Sequence, residues 1–167
     1  MIALELTNIG DFMNKLLRTD AFDHFLLQEA SICAGVTYII DGHITEGYYT
    51  AEELESQNLQ GLKILPFSHL RSKCFDLIKG KKTPTSFKFI FLLSPDNLAN
   101  TLRSLESSFT PEDITGIYIH IKYQNQLLTL TSGISYAVFS TDRSLESDWD
   151  RLVTRFLSQK EIAWEKI

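Results

Sequence analysis

Residues 87–93, FKFIFLL, limit the fold of this chain more than any other stretch. Six of the seven side chains are apolar. A run of this length and character is stable only inside a sheet, with neighbours on both sides, so it predicts a central strand with one interruption, Lys88. The residues that follow have a matching order. Ser94-Pro95-Asp96 supplies an N-cap, a proline at the first helical position and an acidic first turn. Leu98, Leu102 and Leu105 then mark one helix face. Ile117, Ile119, Ile121 and Tyr123 alternate with Tyr118, His120 and Lys122, the pattern of a half-buried strand. Gln124, Asn125 and Gln126 form a hairpin loop, residues 127–131 pair back, and residues 135–140 supply another strand.

The beginning of the chain repeats this order. Residues 2–6 read as a strand. Ile9, Phe12, Met13, Leu16 and Leu17 make one apolar stripe of a helix, capped by Asn8 or Thr7, with Asp11 in its first turn. Residues 25–32 and 36–40 read as strands joined through Gly35. Asp41-Gly42 is a two-residue turn signal leading to a third strand over residues 43–49. Residues 2–49 and 87–140 thus share the series β-α-β-β-β. Between them, residues 51–83 are a helical insertion: a short acidic helix near residues 51–58, then a stripe of Phe67, Leu70, Cys74, Leu77 and Ile78 that closes at Lys79 and Gly80. Leu145, Trp149, Leu152, Phe156 and Ala163 predict a long C-terminal helix over residues 144–163. The expected fold is α+β: a single domain over residues 1–167, with two such units forming antiparallel sheet packed on helices.

Two resemblances follow from these segments. FKFIFLLSPDNLANTLRSL, followed by GIYIHIKYQNQLLTLTSG, resembles the repeating unit of the DNA sliding-clamp fold, and the likeness covers about 100 of the 167 residues. It implies a clamp-like architecture. This chain has two such units where a clamp chain has at least four, and its helices present polar, weakly basic faces through residues such as Asn14, Lys15, Arg18, Asn100 and Arg103. FMNKLLRTDAFDHFLLQEASI, LIKGKKTPTSFKFIFLLSPDN and SLESDWDRLVTRFL are together similar to a bacterial family of unknown function from Gram-positive anaerobes. That resemblance spans nearly the whole chain and implies a cytoplasmic protein without an assigned activity.

The net charge of −5 does not suggest a general nucleic-acid binder, but its distribution is uneven. Residues 1–62 carry two basic and ten acidic side chains, residues 63–88 seven basic and one acidic, and residues 89–167 seven basic and ten acidic. Six of the basic residues in the central segment, Arg71, Lys73, Lys79, Lys81, Lys82 and Lys88, form the candidate surface for an anion, a nucleic acid or an acidic protein partner. Lys79-Gly80-Lys81-Lys82 lacks the pattern of a phosphate-binding loop and lies at a helix C-terminus, whose dipole opposes anions. Arg71 and Lys79, eight positions apart, are expected to face solvent on neighbouring turns.

Catalytic signals are absent. The four histidines, His24, His43, His69 and His120, form no HxxxH or HxH pair, and no cysteine stands beside one at a ligand spacing, so no metal site and no cofactor is expected. Asp23-His24 and Asp41 with His43 are local acid–imidazole pairs that can orient an imidazole. No GxSxG or SxxK occurs. Cys33 and Cys74 read as buried, unpaired thiols of a reducing compartment. No stretch reaches the roughly 20 apolar residues of a membrane span, and the N-terminal segment lacks the basic start of a signal peptide. The sequence therefore favours a non-catalytic binding module with a basic surface. The alternatives are a clamp-like oligomeric interaction domain, pairing through free sheet edges without touching DNA, and an enzyme built on His24 or His43.

Overall fold

The computed structural model describes residues 1–167. It contains one seven-stranded antiparallel sheet and five α-helices. The strands are β1 (Ala3–Leu6), β2 (Phe25–Ala34), β3 (Val36–Asp41), β4 (Ser86–Leu93), β5 (Ile114–Gln124), β6 (Leu127–Tyr136) and β7 (Trp164–Lys166), in the order β3-β2-β4-β5-β6-β1-β7. The helices are α1 (Ile9–Arg18), α2 (Ala51–Ser56), α3 (Phe67–Ile78), α4 (Pro95–Ser104) and α5 (Ser144–Gln159).

The FKFIFLL stretch is β4, and it runs inside the sheet between β2 and β5. Its burial alternates. Phe87, Phe89 and Phe91 are buried, whereas Lys88, Ile90 and Leu92 are half-buried. The reason is that α1, α3 and α5 pack on one face. Phe12 and Leu16 of α1, Phe67, Leu70 and Cys74 of α3, and Leu145, Trp149, Val153 and Leu157 of α5 join the odd-numbered phenylalanines in a single apolar cluster. Register places Lys88 and Lys122, Ile90 and His120, and Leu92 and Tyr118 side by side on the opposite face, where Leu98 of α4 and buried Leu26 adjoin Leu92 while Lys88 and Ile90 stay half-buried.

Local chemistry explains most elements. The Asn8 side chain accepts the Asp11 N–H at 3.1 Å and starts α1. Thr50 and Glu53 form a reciprocal capping box on α2. Ser94 accepts the Asn97 N–H at the start of α4, next to Pro95. The β5–β6 hairpin turns on Asn125 and Gln126, both at positive φ. The buried Ser132 hydroxyl accepts the Ile2 N–H at 2.9 Å and donates to Asp150, tying β1 and β6 to α5.

Three expectations are corrected. No strand forms over residues 43–49. Gly42 is needed for close approach instead of a turn: a Cβ there would lie 1.6 Å from the Leu27 carbonyl oxygen. Beyond it, His43 makes only an isolated bridge to Ile64. The separate strands at 127–131 and 135–140 are one strand, β6, continuous through Gly133 and ending at Tyr136. Each unit is therefore β-α-β-β, and the two are wired differently: β4 pairs with β5 of its own unit, while β1 pairs with β6 of the other. Finally, α5 stops at Gln159. Glu161 turns back at φ 56°, the Lys15 ammonium donates to its carbonyl at 2.6 Å, and residues 164–166 become β7 against β1.

Candidate functional site

The basic segment does not form one surface. In the middle of α3, the Arg71 guanidinium makes two parallel bonds to Asp23, Nε to Oδ1 at 3.0 Å and Nη2 to Oδ2 at 3.1 Å. This forked pair is largely buried and ties α3 to the turn between α1 and β2, so Arg71 does not share a solvent face with Lys79. It also occupies the carboxylate expected to orient His24. Lys79, just past the end of α3, reaches Asp76 at 3.0 Å and lies over the Phe75 ring, 5.6 Å from its centre. Lys88 projects from the sheet face opposite α1, α3 and α5 and meets Glu29 at 3.3 Å. Lys73, Lys81 and Lys82 are exposed and make no ion pair. Of the six, Lys79 and Lys82 line a common hollow. It has a volume of about 560 Å³ and is walled also by Gly35, Tyr38, Asp76 and Thr83.

That hollow adjoins a feature that the sequence reading placed as a strand but not as an edge. Strand β3 pairs with β2 on one side and with nothing on the other. Its side chains are open on both faces: Val36 is 60% exposed, Tyr38 41% and Ile39 66%. Gly42 donates to the Gln28 carbonyl at 3.0 Å, which fixes the phase of the ladder. By the alternation of antiparallel pairing, Val36, Tyr38 and Ile40 bond inward to β2. The N–H and C=O groups of Thr37, Ile39 and Asp41 point outward, unpaired. Residues 36–40 contain no lysine, proline or other charge, the devices that usually guard a sheet edge. The opposite edge, β7, is only three residues long and carries Glu165 and Lys166. The signal in the sequence was available: VTYII is rich in strand-forming residues and lacks the polar alternation of a half-buried strand.

At the far end of β3, the His43 ring Nδ1 lies 2.5 Å from Asp41 Oδ1, and the His43 backbone N–H donates to the same oxygen at 3.0 Å. The backbone bond and then the ring bond hold the Asp41 carboxyl below the usual aspartate range. Both groups are exposed. His43 also lines an open groove of about 500 Å³ with Ile44, Glu46, Tyr49 and Leu54, so α2 sits beside the chain that leaves β3. No hydroxyl or thiol bonds to the imidazole, so the dyad is not coupled to a nucleophile.

His120 lies on the sheet face opposite α1, α3 and α5, where desolvation first, and the Lys88 charge second, push its pKa down. Cys74 is buried and its thiol is pushed up to about 12 by desolvation. Cys33 is only half-buried, contrary to expectation, and hydrogen bonding to Thr85, Thr37 and Ser86 lowers its pKa. No three His, Cys, Asp or Glu side chains converge in a metal-binding group. No helix is long and apolar enough to cross a membrane.

Comparison with curated proteins and with solved structures finds no match. The sequence model of one family, described as a family of unknown function (DUF5721), matches residues 15–165. The match runs from within α1 to within β7 and covers most of the chain, which therefore belongs to this family of unknown function.

Proposed function

We propose that this protein is a non-catalytic interaction module that binds an extended segment of a partner along the β3 edge. The observation that carries this reading is the row of outward N–H and C=O groups on Thr37, Ile39 and Asp41, flanked by exposed Val36, Tyr38 and Ile39. Adding a strand satisfies the backbone groups and covers the apolar side chains at once. Lys79 and Lys82 stand at the start of this edge and favour carboxylates on the incoming strand there.

A titration with a synthetic strand of alternating glutamate and valine tests this. Binding is expected in the native chain, with loss in Ile39→Pro, which removes an outward donor, and weakening as salt rises. A second reading, binding of single-stranded nucleic acid by Lys73, Lys81 and Lys82, draws on the absence of carboxylate partners for these three. DNA binding at low salt that survives Ile39→Pro and disappears in a Lys81→Glu, Lys82→Glu variant would favour it and displace the edge reading.

A further inference from the structure

We infer that the natural occupant of the β3 edge is β3 of a second copy of this chain, in an antiparallel two-fold pairing centred on Ile39. This rests on the edge reading above and names the partner. Three observations converge on it.

The first is hydrogen-bond phase. A two-fold axis at Ile39 pairs Ile39 with its symmetry mate and Thr37 with Asp41 of the second copy, twice. All three outward residues then meet outward residues, and every one of their N–H and C=O groups gains a partner. The pairing ends where it should. The next residue in phase, His43, has already given its backbone N–H to the Asp41 side chain.

The second is side-chain matching. Thr37, Ile39 and Asp41 lie on the face opposite α1, α3 and α5, in register with Cys33, Ser31 and Glu29. The two-fold sets Ile39 against Ile39 and the Thr37 hydroxyl against the Asp41 carboxylate. On the helix side it sets Tyr38 against Ile40. No like charges face each other.

The third is charge. The two ends of the edge differ in charge. Its start adjoins Lys79 and Lys82 through the hollow that they share with Gly35 and Tyr38. Its end is Asp41, followed by Glu46 and by α2 with Glu52, Glu53 and Glu55, which packs beside the same chain through Leu54, so that carboxylates outnumber the one lysine there, Lys63. Antiparallel pairing brings the basic start of one edge to the acidic end of the other, twice. The uneven charge along the sequence is in this way self-complementary. A parallel or open-ended arrangement lacks this match, and β7 has neither the length nor the apolar content to compete.

The test is sedimentation or light scattering of the full chain over a wide concentration series, with two variants. The expected result is a particle of twice the 19.1 kDa chain mass that dissociates on dilution and at high salt. Ile39→Pro deletes only an outward donor, and Ile39→Lys guards the edge without touching the β2 ladder. Both are expected to be monomers with unchanged circular dichroism. In a Cys33→Ser background, Ile39→Cys is expected to oxidise to a covalent dimer faster than Thr37→Cys does. A native chain that is monomeric throughout, yet binds the glutamate–valine strand at β3, overturns the self-pairing and leaves the edge reading intact. A dimer that persists in both Ile39 variants overturns the self-pairing at this edge. A monomer that binds no strand overturns both.

Discussion

The unequal packing of the sheet's two faces makes a sharp prediction about two adjacent residues of β4. Phe91 is fully buried, and its ring centre lies 5.0 Å from that of Phe67, 5.3 Å from that of Phe22 and 5.9 Å from those of Phe25 and Phe89. It joins β2, β4, α3 and the turn after α1. Replacement by alanine removes a whole ring from a site whose walls are themselves held by the sheet, so the cavity cannot collapse well. The expected cost is about 4 kcal/mol, within the range for buried phenylalanines. Unfolding entropy scales with length at about 2.1 cal/mol/K per residue, so a chain of this size should lose roughly 10 °C in melting temperature. Ile90, the preceding residue, points to the face opposite α1, α3 and α5 and is half-buried. Ile90→Ala is expected to cost only about 1 kcal/mol, roughly 3 °C. Thermal and urea unfolding followed by circular dichroism measure both. Equal losses for the two variants would mean that both faces of β4 are packed alike, and would refute the layer assignment.

Three further outcomes follow from single sites. Gly42→Ala places a methyl group against the Leu27 backbone, which cannot rotate away, and is expected to destabilise by about 2 kcal/mol or more in the same unfolding assays, whereas Gly10→Ala meets nothing. Alkylation at neutral pH, read by mass spectrometry, is expected to label Cys33 in the folded chain and Cys74 only after unfolding, because the first thiol is lowered and accessible while the second is buried and pushed to about 12. The Asp41 carboxyl, lowered in the fold, adds stability above the ordinary aspartate pKa and loses it as pH falls through its folded value. His43→Ala removes the ring bond but keeps the backbone donor, so the Asp41 midpoint in an NMR titration should rise only part of the way.

What could be read from the sequence, and what could not, divides by range. The α1 stripe, the Ser94-Pro95 start of α4 and the alternation of residues 117–123 are local patterns, and each became the element it specified. Asp41-Gly42 misled because a small residue has two uses. Here its missing Cβ admits the Leu27 carbonyl, and only the tertiary partner, 15 positions earlier, distinguishes that from a hairpin turn. The end of α5 was missed for a similar reason, since the left-handed turn at Glu161 is held by Lys15 from the other end of the chain. The candidate site suffered most. The surplus of positive charge on residues 63–88 is real in sequence, yet Arg71 answers Asp23 from 48 positions away and Lys88 answers Glu29 on the far side of the sheet. Charge counts along a chain carry no information about which face a strand turns to solvent. The exposed edge was hidden because strand order in a sheet is a global property: VTYII specifies a strand, and only the absence of a neighbour makes it an open edge.

Amide hydrogen exchange along β3 tests the central claim most directly. In dilute solution Tyr38 and Ile40, bonded inward, should exchange slowly while Thr37, Ile39 and Asp41 exchange freely. When an occupant binds, whether a second copy at high concentration or an added strand, those three should become protected together. Protection of all five amides in the dilute monomer, or three odd-numbered amides that stay fast in every complex, would contradict the assignment of β3 as the binding edge.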